Sequence, residues 1–306
     1  MKEHSMYQKM RIFFIATLAI VNLSFASSPQ WSLEEVTSGW NANWLVKTYF
    51  HNSELQRQWA WELMGKYPLS GDEKILDFGC GDGKMSAELS RLVSQGTVTG
   101  VDISSEMVAF AKLKFPNYAY PNLKFLKSNS LIFDDIPAQQ AYDVICSFCV
   151  FHQVARQVET LRQLKAHLKP AGRLLLVIPA GKNPAFFNAA NEIFTQYQLT
   201  PPWKNQSTSV VPTMRTVEGC SALLKEAGYQ VLKLEMIDTD NPFYDKTELI
   251  EWMVGNTTAN WSIPLDVSPA FFKDLVERMC ELDSGVIDQE GRVHFKLSRI
   301  HAVATF

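Results

Sequence analysis

Cysteine is scarce and unpatterned in this chain: five in 306 residues, an odd number, with no disulfide framework. Cys146 and Cys149 have the spacing of a redox or zinc pair, but Ser147 and Phe148 between them continue the strand-like run YDVICSFCVF. Two buried thiols explain them more simply than a metal or redox site. Excess charge of either sign is also missing, since the formal net charge is −3. With no broad basic field, duplex nucleic acid is not the expected partner. Internal repeats and low-complexity tracts are absent. After the first 26 residues no apolar run is long enough to span a membrane. What is present is an ordinary globular composition, 46% hydrophobic and 20% charged, which excludes wholesale disorder.

The N-terminus stands apart. Lys9 and Arg11 precede an apolar run from Ile12 to Val21, with small residues at Ser24 and Ala26. That order of charged, apolar and small residues is the pattern of a secretory signal, so export is the expectation. An uncleaved apolar extension on a cytoplasmic protein is the alternative. If the signal is removed, no stable membrane span remains.

From Trp31 to Tyr67 the pattern is helical and rich in tryptophan. Strands and helices then alternate. Strands are expected at Lys74–Phe78, Thr97–Ile103, Leu123–Lys127, Tyr142–Phe148 and Arg173–Ile178. Met85, Leu89, Leu92 and Val93 share one helix face, and Gly96 ends that helix. Ser104 caps a helix over Ser105–Lys114. A further helix spans Val154–Leu168, stopped by Lys169-Pro170-Ala171-Gly172. This alternation implies βαβ units and a parallel sheet with right-handed crossovers. Beyond Pro179 the prolines at 184, 201, 202 and 212 suggest an irregular insert over 181–214. A helix at Val217–Ala227, a strand at Tyr229–Ile237, helices at Glu248–Val254 and Ala270–Leu282, and a last strand at Gly291–Phe306 complete the pattern. Four segments are expected: 1–26, a helical cap at 27–70, a ligand-binding core at 71–180, and an insert with completing strands at 181–306.

The run ILDFGCGDGK, residues 75–84, ends the first strand and opens a helix. Glycines there let the backbone turn sharply and approach a ligand. A dinucleotide site would show GxGxxG and hold a pyrophosphate on the helix N-terminus. Here the spacing is GxGxG, and Asp77 precedes it. An anion at that point repels pyrophosphate and suits the ammonium and sulfonium groups of S-adenosylmethionine (SAM). A dinucleotide oxidoreductase is thus the less favoured alternative. Asp102 ends the second strand, 21 residues after Gly81, where a carboxylate can accept hydrogen bonds from both ribose hydroxyls. Capping of the next helix is the other role for Asp102, and Ser104 suits that role better.

Together with GVDISSEMVAFAK, FLKSNSLIF, YDVICSFCVFHQV and LKPAGRLLLVIP, in that order, this run resembles the class I SAM-dependent methyltransferases. The likeness covers about residues 40–235. WNANWLVKTYFHNSELQRQWAWELM and FHQV are similar to the branch of trans-aconitate and juvenile hormone acid methyltransferases, which methylate small carboxylic acids. The resemblance implies an α/β, Rossmann-like, doubly wound sheet of seven mostly parallel strands. Its last strand would be antiparallel, with an N-terminal helical cap and an insert after strand 5. It implies SAM as cofactor and a small-molecule substrate, most simply a carboxylic acid methylated on oxygen by in-line transfer. It places Gly79, Cys80, Gly81 and Gly83 under the cofactor, Asp77 near its ammonium, Asp102 at the ribose and Ile103 on adenine. Ser128 and Asn129 fall at the adenine edge, where Asn129 replaces the family's usual Asp. Ser147 stands at the end of the fourth strand, and Tyr49 and Gln56 would close over the cofactor.

His152 follows the fourth strand, at the edge of the sheet where ligands collect. It is a candidate for substrate positioning or proton removal, or else a polar residue of the first helical turn. Gln153, Trp203 and Arg215 are candidate substrate contacts, Arg215 because a guanidinium holds a carboxylate bidentately. Phe186 and Phe187 line a pocket or pack the insert. A second function also fits: a SAM-binding or interaction protein of the same fold with reduced catalysis. The altered FHQV, Asn129 and the export-like N-terminus favour it.

Overall fold

The computed structural model describes residues 42–128, 141–154, 156–180, 183–202, 216–258 and 260–306. These lie in one compact unit, Asn41–Phe306. The signal-like segment, Asn129, Trp203 and Arg215 fall outside the described residues. Among the described residues no helix is long and apolar enough to cross a membrane.

The sheet has seven strands in the order β3-β2-β1-β4-β5-β7-β6. They are β1 (Lys74–Phe78), β2 (Thr97–Asp102), β3 (Leu123–Lys127), β4 (Tyr142–Phe148), β5 (Leu168–Ala180), β6 (Gln230–Phe243) and β7 (Val293–Thr305). β1 to β5 run parallel, and β7 pairs antiparallel with both β5 and β6. This is the expected doubly wound fold with an antiparallel last strand. The order reverses between β1 and β2 on one side and β4 on the other, so the carboxyl ends of β1 and β4 open a crevice.

Successive residues of each central strand serve opposite faces. Leu76 joins a core with Phe151, with Leu161 and Leu164 of α5 (Gln157–His167), and with Cys220 and Leu224 of α7 (Val217–Glu226). Ile75 joins the other core. There it meets Trp59 and Leu63 of α2 (Glu54–Met64), Leu89 of α3 (Lys84–Leu92) and Val108 of α4 (Ser105–Lys114).

A third core lies beyond the sheet. It joins Phe194 of α6 (Pro184–Gln196), Met253 of α8 (Lys246–Thr257) and Phe271 of α9 (Ser268–Leu282) to Phe243 and Phe295. The antiparallel pair of β6 and β7 extends beyond the end of β5, and these helices pack there as a cap. Burying each such aromatic stabilises the cap by roughly 1.5–3 kcal/mol before entropy is counted.

Several boundaries differ from expectation for local reasons. Residues 184–196 form a regular helix rather than an irregular insert. Asn183 accepts the Phe186 N–H at 3.1 Å, Pro184 stands in the first turn where its missing N–H costs nothing, and Ala189, Ala190, Ile193 and Phe194 are buried. The helix before Lys169-Pro170-Ala171-Gly172 ends at His167, one residue earlier than expected, but the run itself is not a loop. It lies within β5, where Ala171 takes a φ of 61° and the register with β4 shifts. The segment after β4 begins with a short 3-10 turn, Phe151–Gln153, before α5. The N-terminal helical region divides at Ser53 into α1 (Ala42–Asn52) and α2.

Candidate active site

The glycine run after β1 adopts a backbone that residues with a side chain rarely take. Gly79, Gly81 and Gly83 have φ values of 80°, 51° and 83°. The N–H groups of Gly79 and Cys80 donate to the Val101 carbonyl at 2.8 and 2.9 Å, which pins the turn to β2. A β-carbon on Gly83 would stand 2.8 Å from both Ala111 and Phe125. The three glycines therefore serve local packing as well as any ligand.

Asp77 is buried, 2% exposed, at the end of β1. Ser86 donates to its Oδ2 at 2.6 Å. Burial, with Asp102 and Asp82 nearby, raises its pKa to about 6 despite that hydrogen bond. Asp102 bridges two turns: its Oδ2 accepts the Gly81 N–H and its Oδ1 the Ser104 N–H, both at 2.9 Å. Each carboxylate oxygen keeps a second lone pair for a ligand. Ile103 beside it is 68% exposed, leaving an apolar surface uncovered at that end. Ser128 donates its N–H to the Asp102 carbonyl at 2.9 Å, so β3 meets β2 there.

The N-terminal helices close one side. Tyr49, Gln56, Asp77, Gly79 and Cys80 line a pocket, completed by Ser53, Arg57, Asp82, Lys84, Met85 and Phe148. The Tyr49 ring packs on the loop, 3.5 Å from where a β-carbon of Gly81 would be. Burial and the neighbouring acids push its phenol pKa up, so it remains a neutral hydroxyl. Ser53 donates to Asp82 Oδ2 at 2.7 Å, and Lys84 donates to Ser53 Oγ at 2.9 Å and to the Phe50 carbonyl. These bonds tie the α1–α2 junction to the start of α3. Arg57 reinforces the closure by gripping Glu54 and Glu88 with paired hydrogen bonds.

The three remaining described candidates, Ser147, His152 and Gln153, lie outside the pocket lining. Ser147 is buried, and its hydroxyl donates to the Phe78 carbonyl at 2.8 Å, joining β4 to β1. His152 is half-buried on the 3-10 turn, with Gln153 Nε2 3.2 Å from its Nε2. Val150, just before that turn, packs on Gly79. Burial holds the Cys80 and Cys146 thiols protonated, and no group of metal ligands occurs among the described residues.

Sequence reasoning missed Ser53, Arg57, Asp82, Lys84 and Ser86. Asp82 lies inside the glycine run and was available to it. Lys84 closes the same run, and the others become visible only when the helices fold onto the loop.

The arrangement fits SAM on its own terms. A buried acid faces the pocket, the loop has no side chains where a ligand must approach, and Gln56 Oε1 is buried without a hydrogen-bond partner. Comparison with known proteins agrees. A trans-aconitate 2-methyltransferase of Deinococcus radiodurans is 24% identical over 274 residues, covering 86% of this chain and 98% of that one. A malonyl-[acyl-carrier protein] O-methyltransferase of Halalkalibacterium halodurans is 34% identical over 102 residues, 33% of this chain and 37% of that enzyme's length. The crystal structure of the YcgJ protein of a Bacillus superposes with a TM-score of 0.53 at 17% identity, over 81% of this chain and 97% of that one. Residues 69–238 match the methyltransferase domain family. The chain belongs to that family, with the class I SAM-dependent methyltransferase fold.

Proposed function

We propose that this protein methylates an oxygen of a small carboxylic acid, with SAM as donor. The observation that carries the donor half is the pocket at the carboxyl end of β1, which the buried acid Asp77 lines together with Tyr49 and Gln56. The acceptor half is supported by relatives named for methylating trans-aconitate and malonyl-[acyl-carrier protein].

Bound SAM supplies a methyl group on a positively charged sulfur, activated for in-line displacement. The protein's own work is to orient and to exclude water. Asp77 and Gln56 would hold the amino-acid end, Asp102 the ribose, and Ile103 one face of the base. Tyr49 covers the glycine loop and displaces solvent from it. A carboxylate acceptor is already ionised at neutral pH, its pKa being about 4, so no base is required. His152 would position the acceptor, with Gln153, Trp203 and Arg215 as further contacts.

A screen with labelled SAM against small acids, amines and phenols tests this. Transfer to acids is expected. Cofactor binding without transfer to any of them would instead establish a binding protein of the same fold. An inactive periplasmic reporter fused to residues 1–30 would place the protein in the cytoplasm.

A further inference from the structure

Gln56 presents an unpartnered acceptor to the cofactor pocket, and the residue that fixes its orientation lies 200 positions away on the cap. Helix α8 crosses α1 closely: a β-carbon on Gly255 would stand 3.2 Å from both the Thr48 side chain and the Thr48 carbonyl. This contact brings Asn256 against Asn52 and Gln56. Asn256 Nδ2 lies 3.1 Å from the Asn52 carbonyl and 2.9 Å from the Trp252 carbonyl. Both are acceptors only, so the amide nitrogen must point at them. Asn256 Oδ1 is thereby turned to Gln56, which must meet it with Nε2. Gln56 Oε1 is then directed away from Asn256, buried and unpaired. A buried acceptor without a donor is costly and is relieved by a ligand that brings one.

We propose that Asn256 is a positioning residue that sets the polarity of the Gln56 amide, so that the pocket presents an oxygen to a cationic N–H donor, the ammonium of the cofactor's amino-acid end. This rests on the cofactor assignment above. The cap thus reaches the cofactor through a chain of amides, and the same residue caps the last turn of α1.

Two substitutions separate orientation from support. Asn256→Asp keeps the acceptor for Gln56 but loses both donations to carbonyls. Asn256→Leu loses everything. The probe is S-adenosylhomocysteine (SAH), followed by titration calorimetry on the full chain with Tm measured in parallel. Asn256→Asp should lower Tm yet bind within about threefold of wild type. Asn256→Leu should bind roughly tenfold more weakly, the size of one hydrogen bond to a charged group. Gln56→Leu should weaken binding to the same extent, and adding it to Asn256→Leu should change little more. Equal weakening by Asp and Leu, in step with Tm, or additive effects of Gln56→Leu and Asn256→Leu, would overturn the positioning role while leaving the cofactor assignment intact. A wild-type protein that does not bind SAH overturns both.

Discussion

Val150 fills the space that a β-carbon on Gly79 would need: the two would be 2.2 Å apart. The segment just after β4 and the glycine turn after β1 are fitted to each other at that point. Gly79→Ala should therefore lose about 2–4 kcal/mol from this overlap and from the positive φ. Urea denaturation measures the loss. Val150→Ala added to it should restore part of the stability, and the remainder is the strain of the backbone itself.

Asp102 already accepts two backbone N–H groups. Asp102→Asn must turn an amide nitrogen toward one of them, which costs about 1–3 kcal/mol. Tm should fall, and SAH affinity should fall at least tenfold, by the same one-bond measure. Asp102→Ala should abolish measurable binding in calorimetry.

Asp77 gives the site a pH dependence with a definite sign. Its pKa is near 3.8 unfolded and about 6 folded. The folded state holds the extra proton, so stability is unaffected below pH 3.8, falls as pH rises toward 6, and is level above. The span is of the order of 3 kcal/mol. A bound cation favours the ionised acid, so SAH affinity should rise from pH 5 to 7 with proton release near pH 6. Calorimetry in buffers of different ionisation enthalpy reads that release. Asp77→Asn should remove it, and Ser86→Ala should move the inflection upward, because Ser86 supports the charged form.

His152 separates nucleophile classes. With an acid as acceptor, His152→Ala should alter KM more than kcat and leave the pH–rate profile unchanged. With a phenol or amine it should depress kcat and remove a basic limb from the profile. Steady-state rates across pH 5–9 distinguish the two.

The sheet was legible in the sequence because its central strands are short apolar runs between turn residues. β1, β3 and β4 lie where the residues predict them, and β2 ends one residue earlier. Pro184 misled because proline marks a helix start as readily as a break. β6 was cut short at Ile237, since the alternation weakens toward Pro242 even though pairing with β7 continues to Phe243. Asp77, Asp102 and the glycines were legible because a local motif carries them. Asn256 had no signal, for its importance comes from a helix crossing between segments distant in the chain.

Among the described residues β7 is the last strand in chain order, sits between β5 and β6, and is the sole sheet neighbour of β6. During synthesis the strands that bear the cofactor loop can pair as they leave the ribosome. Residues 230–243 have no partner until 293–305 emerge. The cap helices, packed against that pair of strands, must wait as well. A chain interrupted before β7 would hold the glycine loop and leave the cap unbuilt.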